Sequence, residues 1–115
     1  MKIIRFKHKS KINYGWIYDN EVGLIDGELF NEYRRLETEL QLDRVSYLSP
    51  VEPGKIVCVA RNYEEHAREH QVEVPEFPMI FLKPPSAVIS NGEVIKIPPQ
   101  SSQVEHEAEL AVVIG

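Results

Sequence analysis

The chain has 115 residues, 43% of them hydrophobic and 27% charged, which fits one small globular protein rather than a repeat array. Its 13 Lys and Arg against 18 Asp and Glu give a net charge of −5, so we expect neither nucleic acid nor a membrane surface as partner. The single cysteine, Cys58, excludes an intramolecular disulfide and lies in an apolar run, which predicts a buried, inert thiol in a reducing compartment. No apolar run approaches the ~20 residues of a membrane span, and the N-terminus lacks a signal-peptide core, so we expect a cytoplasmic protein.

The first 30 residues alternate short apolar runs with turn signals, which predicts a small antiparallel meander. Strands are expected at residues 2–6, 12–18 and 22–25. The Asp26-Gly27 pair stands between apolar flanks and is a strong hairpin signal.

The spacing of apolar residues changes over residues 32–43. Tyr33, Leu36 and Leu40 recur there at spacings of three and four among charged residues, and this period predicts a helix.

A stretch with two prolines and a glycine, residues 49–54, is the clearest linker of the chain. We therefore expect a small N-terminal domain at residues 1–50, made of the meander and the helix, and a second domain at residues 51–115.

The second domain begins with a strand followed by a helix. Residues 55–60 form a β-branched apolar run without polar alternation, as expected for a strand that is covered on both faces. Asn62 is expected to cap a helix over residues 63–70, with Glu65 completing a capping box.

Three later runs also predict strands, at residues 79–82, 94–97 and 105–115. The last run becomes steadily more apolar and is the best candidate for a central strand. Because chains rarely end inside such a strand, we expect these 115 residues to be part of a longer protein.

The last predicted strand begins with two glutamates, Glu107 and Glu109. Alternation along a strand would place both carboxylates on one face, where a cation is needed to offset their repulsion. Paired carboxylates are the ligands that Mg²⁺, Mn²⁺ or Ca²⁺ prefer. The alternative interpretation is a solvated strand end that is merely acidic.

The predicted helix carries His66 and Glu69, three residues apart and so on one face. A carboxylate in this position can orient an imidazole as a general base. The alternative is an exposed polar helix with ordinary ion pairs such as Glu64 with Arg68. A second alternative is the inverted zincin motif, in which His66 and His70 would bind Zn²⁺ and Glu69 would activate a water, although nothing singles out the third ligand.

Polar side chains stand at the ends of two predicted strands. Arg61, Asn62 and Tyr63 follow the strand at residues 55–60, and Lys83 follows the strand at residues 79–82. If the two strands are neighbours, these groups could gather and bind an anionic ligand. The alternative is that they are simply solvated.

The combination of these motifs resembles the fumarylacetoacetate hydrolase family, including its isomerases of 2-hydroxyhepta-2,4-diene-1,7-dioate and its acylpyruvases. The resemblance covers residues 53–115, and its motifs are residues 55–63, His66 with Glu69, residues 80–84 and residues 107–115. Residues 1–50 look like the small domain that precedes the catalytic domain in some members. The resemblance implies a β-rich α+β fold, a mixed β-roll, and commonly a homodimer.

By this resemblance, Glu107 and Glu109 match the family's ligands for Mg²⁺ or Mn²⁺, and His66 and Glu69 match its catalytic pair. Arg61, Asn62 and Lys83 fall in motifs near the family's substrate site. Members act on small 2-oxo or enol acids: they hydrolyse C–C bonds of acylpyruvates, decarboxylate oxaloacetate-like acids, or isomerise unsaturated dioic acids in the catabolism of aromatic compounds.

One departure from the family concerns the metal site. Members have a third acidic ligand and a substrate-binding lysine downstream of the paired glutamates, and this chain ends at Gly115. We therefore expect a fragment with an incomplete site, inactive by itself. The alternative is a non-catalytic binding or assembly module of the same fold.

Overall fold

Seven strands and one short helix make up most of the regular structure of residues 1–115, all of which the computed structural model describes. The strands are β1 (Lys2–His8), β2 (Lys11–Tyr18), β3 (Glu21–Gly27), β4 (Tyr33–Gln41), β5 (Ser46–Tyr47), β6 (Ile56–Ala60) and β7 (Met79–Lys83). The helix is α1 (Glu64–Glu69), and two 3-10 turns span Leu42–Arg44 and Pro85–Ala87. Every strand pair is antiparallel. The seven strands, against one short helix, confirm the β-rich character predicted from the sequence.

The first five strands form one sheet in the order β4-β3-β2-β1-β5, which confirms the predicted meander. The turn after β3 differs in detail from the expected two-residue hairpin. Gly27, at φ +110°, still lies in β3, and the chain reverses over the following residues, where the amide of Glu28 donates to the carbonyl of Glu32. The Asp26-Gly27 pair therefore marks the hairpin but does not form its loop.

The predicted helix at residues 32–43 is wrong, because this segment is strand β4 and the Leu42–Arg44 turn. β4 pairs with β3 from Gly27↔Tyr33 to Glu21↔Gln41. A helix would have needed an apolar stripe facing a core, and Leu36 instead stays 42% exposed. Pairing with an existing sheet edge outweighs a weak helical period.

The core of the sheet centres on Phe6 and Val22, both fully buried, with Val45 at its edge. Five partly buried side chains pack around it: Ile4, Ile17, Leu24, Leu40 and Leu42. Gly15 lies against this core, and a Cβ at that position would come within 2.8 Å of the Phe6 ring. Because Gly15 has no side chain, the backbone of β2 can lie close to the Phe6 ring.

Residues 49–89 form a second compact unit, in which β6 and β7 are a two-stranded sheet and α1 lies in their connection. The expectation that β6 is covered on both faces is wrong, because Val57 is 57% exposed. Its only partner strand is β7. Cys58 is half-buried, so the expected fully buried thiol is also wrong.

The other unit combines residues 1–48 with residues 90–115. The strands predicted at 94–97 and 105–115 are absent, and residues 88–115 contain neither helix nor strand. An apolar run becomes a central strand only when neighbouring strands supply hydrogen bonds and cover, and no strand of this chain pairs with these residues. The domain boundary predicted at residue 50 stays a prediction. Among the helices of the structure, none has the length and apolar character of a membrane span.

Candidate active site

Helix α1 begins immediately after a turn that leaves β6. Arg61 occupies the left-handed region at φ 56°, and the chain then extends through Tyr63, which is the N-cap. The predicted capping box is wrong, because the cap makes no side-chain hydrogen bond and Asn62 lies one position too early. The first helical turn is closed by the backbone bond from the Ala67 amide to the Tyr63 carbonyl, at 3.0 Å.

The other end of α1 is closed by two backbone bonds around Gln71, which has φ 55°. The amide of Gln71 donates to the Arg68 carbonyl at 3.0 Å, and the amide of Val72 donates to the Ala67 carbonyl at 2.9 Å. This is the Schellman pattern, with a left-handed residue directly after the C-cap. The C-cap is His70, whose amide donates to the His66 carbonyl at 3.2 Å, so His70 follows His66 by one closed helical turn.

His66 and Glu69 are brought together on α1, as the sequence predicts. The His66 Nδ1 atom lies 3.5 Å from a Glu69 carboxylate oxygen, and the two side chains are 39% and 77% exposed. This distance is longer than a normal N–H···O bond, so the carboxylate orients the ring by charge more than by a formed hydrogen bond. Arg68 forms its ion pair with Glu64 and does not compete for Glu69.

His70 joins this pair. The donor atoms of His66, Glu69 and His70 all lie within 4.8 Å of one another. The two imidazole rings meet edge to face with centroids 4.5 Å apart. The three residues of the inverted zincin pattern therefore share one side of the helix and its cap. The Schellman cap that holds His70 was not predicted, since Gln71 is neither of the usual left-handed residues, Gly or Asn.

The expected gathering of Arg61 and Lys83 is wrong. In the antiparallel register, Ala60 pairs with Met79 at one end of the sheet and Ile56 pairs with Lys83 at the other. Arg61 and Lys83 therefore lie at opposite ends, roughly 15 Å apart along the strands. The Lys83 ammonium lies 5.8 Å from the centroid of the Phe81 ring. These groups, with Asn62, do not form one preassembled anion pocket.

Glu107 and Glu109 are exposed and lie in a segment without regular structure, so the predicted strand face that would carry both is absent. The donor set itself suits a hard divalent cation, because two carboxylates offer the oxygen ligands that Mg²⁺ and Mn²⁺ prefer. They belong to the unit of residues 1–48 and 90–115, whereas His66 and Glu69 belong to residues 49–89.

Comparison with known proteins gives two family matches. Residues 55–115 match the family model described as fumarylacetoacetate (FAA) hydrolase C-terminal, and residues 1–50 match one described as Rv2993c-like, N-terminal. A solved structure of an uncharacterised protein from Mycobacterium abscessus resembles this one with a TM-score of 0.70 at 28% identity, covering 87% of this chain and 40% of that chain.

Several curated proteins are similar to this chain in sequence. An uncharacterised protein of Archaeoglobus fulgidus is 45% identical over 103 residues, which are 88% of this chain and 39% of the relative. The mitochondrial oxaloacetate tautomerase FAHD2A of Bos taurus is 46% identical over 86 residues, which are 71% of this chain and 27% of the relative. The chain thus spans well under half the length of the proteins it matches. Because the hydrolase match covers residues 55–115, more than half of the sequence, the chain belongs to the fumarylacetoacetate hydrolase family.

Proposed function

We propose that this chain supplies the proton-transfer pair and two metal ligands of a divalent-metal-dependent enzyme that acts on small 2-oxo or enol dicarboxylic acids. The observation that carries the proposal is the 3.5 Å contact between His66 and Glu69 on α1, in a segment that matches the family. The similarity to an oxaloacetate tautomerase favours a keto–enol proton shift among the family's reactions. Hydrolysis of acylpyruvates, decarboxylation, a role in aromatic catabolism, the mixed β-roll and a homodimeric assembly are extensions of the same proposal.

The role of His66 follows from which of its nitrogens faces Glu69. A carboxylate beside Nδ1 favours the proton on that nitrogen, which leaves Nε2 as the acceptor. In the enol-to-keto direction, Nε2 takes the proton as the enol O–H bond breaks. The imidazolium N–H bond then breaks as it delivers that proton to the neighbouring carbon, where the C–H bond forms. The proton is redistributed within the substrate and no oxidant is needed. Glu69 acts on this step through the ring, as a positioning residue that also stabilises the imidazolium.

Enzymes of this family generally depend on a divalent metal. We assign Glu107 and Glu109 as two of its ligands, with Mg²⁺ or Mn²⁺ as the expected ion and Ca²⁺ as an alternative. When bound, the ion supplies Lewis-acid stabilisation of negative charge on the substrate oxygen. Two carboxylates leave most of a six-coordinate shell to other groups, and the family resemblance implies that one of these is a further acidic ligand.

Arg61 and Asn62 are proposed to contact the substrate, because they lead directly into α1 and so remain near His66 in sequence. Lys83 is proposed as a more distant contact, since the register places it at the far end of the β6–β7 sheet. We therefore expect the binding of a small dicarboxylate to depend more on Arg61 than on Lys83. Comparing the KM values of Arg61→Gln and Lys83→Gln tests this order.

The test of the function uses the protein from its native source, with Mg²⁺ or Mn²⁺ and the enol form of oxaloacetate. Acceleration of the loss of enol absorbance is the expected result. The His66→Asn variant should lose a factor of about 10²–10⁴ in rate, the usual contribution of a placed base. Glu69→Gln should lose less, because it removes the orientation of the ring and the stabilisation of its imidazolium but leaves the base itself in place.

Two residues of the same types outside the candidate site serve as controls, the half-buried His8 as His8→Asn and the exposed Glu73 as Glu73→Gln, and neither change should alter the rate. Unchanged turnover in His66→Asn would contradict the assignment of the base. Parallel assays of pyruvate release from acylpyruvates and of CO₂ release from oxaloacetate separate the other reactions. No acceleration of any of these reactions would favour the non-catalytic module.

A further inference from the structure

The side chains of His66 and His70 offer a kind of metal site that the paired glutamates do not. Their ring nitrogens and one Glu69 oxygen lie within 4.8 Å of one another. Bonds of about 2.0–2.1 Å in a tetrahedral site would bring such donors to roughly 3.3 Å apart. Changes of side-chain rotamer on a single helical turn can supply this difference, so the backbone need not move.

The backbone holds this turn in place at both histidines. The His70 amide bonds to the His66 carbonyl, and the two bonds of the Schellman cap follow directly. His66 is partly exposed, while Glu69 and His70 are exposed, so an ion can reach all three residues from solvent.

Local charge also favours a cation here. Glu65 precedes Glu69 by one turn, and like charges at this spacing repel each other on a helix. Arg68 is engaged by Glu64 and does not neutralise Glu69. A divalent cation bound at Glu69 would reduce this repulsion and so would stabilise α1.

The chemistry of the donors selects the ion. Two imidazoles and one carboxylate suit Zn²⁺ and similar borderline metals, whereas Mg²⁺ and Mn²⁺ prefer all-oxygen sites such as the glutamate pair. We propose that His66, Glu69 and His70 bind a borderline divalent cation, with Zn²⁺ as the reference ion, through donors other than the paired glutamates.

This binding would switch off proton transfer. If Zn²⁺ binds Nε2 of His66, the acceptor is occupied. If it binds Nδ1, the ring proton moves to Nε2, which then donates instead of accepting. Either mode removes the base, so Zn²⁺ should inhibit turnover even when Mg²⁺ is saturating. The inhibition rests on the proposed function, whereas the binding does not.

The binding experiment is a calorimetric titration of the native-source protein and its variants with Zn²⁺ in excess Mg²⁺, which keeps the carboxylate site filled. His66→Asn and His70→Asn should each weaken Zn²⁺ binding at least ~10-fold, as expected for loss of a ligand. The remaining histidines and the cysteine are controls, and His8→Asn, His106→Asn and Cys58→Ser should leave the affinity within about twofold. Affinity of His70→Asn within about twofold of the unmodified protein would overturn the site, as would loss of binding in any control.

A second measurement compares the Zn²⁺ concentration that halves turnover in the unmodified protein and in His70→Asn, each relative to its own rate without Zn²⁺. The variant should require about tenfold more Zn²⁺, in parallel with its weaker binding. Equal inhibition of both would overturn the blocking of His66. If neither protein turns over any substrate, the proposed function fails, while the calorimetric result still decides whether the site exists.

Discussion

The indole of Trp16 crosses strand β3 above Gly23 and donates a hydrogen bond of 2.8 Å to the backbone carbonyl of Leu36 in β4. Trp16 and Gly23 are cross-strand partners, and the β3–β4 register shifts on both sides of Gly23. The Arg35 guanidinium lies 5.1 Å from the centroid of the Trp16 ring. The tryptophan therefore links three strands at the irregular part of the sheet, and it can do so only because residue 23 has no side chain.

Replacing Gly23 with alanine is expected to destabilise the protein. A Cβ at this position would overlap the indole nitrogen of Trp16 and the Leu36 carbonyl, so either the ring or the β4 backbone must move. Overpacking of this kind costs about 1–3 kcal/mol. Urea denaturation followed by tryptophan fluorescence measures the loss, because Trp16 is the only tryptophan. The matched control is Gly54→Ala, where nothing lies within 4 Å of an added Cβ. Equal stability of Gly23→Ala and Gly54→Ala would contradict the role of the close approach.

Replacing Gln71 with glycine is expected to stabilise the end of α1. Gln71 has φ 55°, a conformation that costs an L-residue about 1–2 kcal/mol and glycine almost nothing. The greater freedom of glycine in the unfolded chain offsets part of this gain, so the net increase should be about 0.5–1 kcal/mol. Thermal or urea denaturation of the two proteins gives the difference. Gln100→Gly, at an exposed residue without positive φ, should not stabilise, and a loss of stability in Gln71→Gly would show that the cap is not strained.

The sequence predicted best what depends on local patterns. Alternating apolar runs and turn signals predicted β1 to β3, and the spacing of His66 and Glu69 predicted their contact on α1. Prediction from the sequence failed where contacts with residues far away in the sequence determine the local structure. Residues 33–41 have a helical period, but the bulged edge of β3 and the Trp16 bond to Leu36 hold them as a strand.

The candidate site shows the same division. The donors of one helical turn follow from spacing alone, whereas the positions of Arg61 and Lys83 depend on the register of β6 with β7, which periodicity does not fix. The strand predicted for Glu107 and Glu109 needs neighbouring strands that this chain does not provide. Motif order predicted the family correctly because it records which residues are present, and it does not require knowledge of how they pair.

Replacing Arg68 with glutamine should change little, although Arg68 lies directly beside Glu69 in sequence. Its ion pair with Glu64 is about two-thirds exposed on both sides, and exposed pairs of this spacing contribute no more than about 0.5 kcal/mol. Turnover should also stay near its original value, since Glu69 remains beside His66. Denaturation and the tautomerase assay measure the two effects. A large loss of turnover without a loss of stability would mean that Arg68 contacts the substrate.

Removing the catalytic metal should abolish turnover, and the two glutamates should set how much metal restores it. After chelation and dialysis, Mg²⁺ or Mn²⁺ should recover the rate because carboxylates hold these hard ions. Glu107→Gln and Glu109→Gln should each require at least ~10-fold more metal, while Glu76→Gln, at another exposed glutamate, should match the unmodified protein. The measurement is the metal concentration at half-maximal rate, with the His66→Asn variant expected to keep the original metal requirement at its lower rate. If the Glu107 and Glu109 variants respond to metal as the control does, these residues are not its ligands.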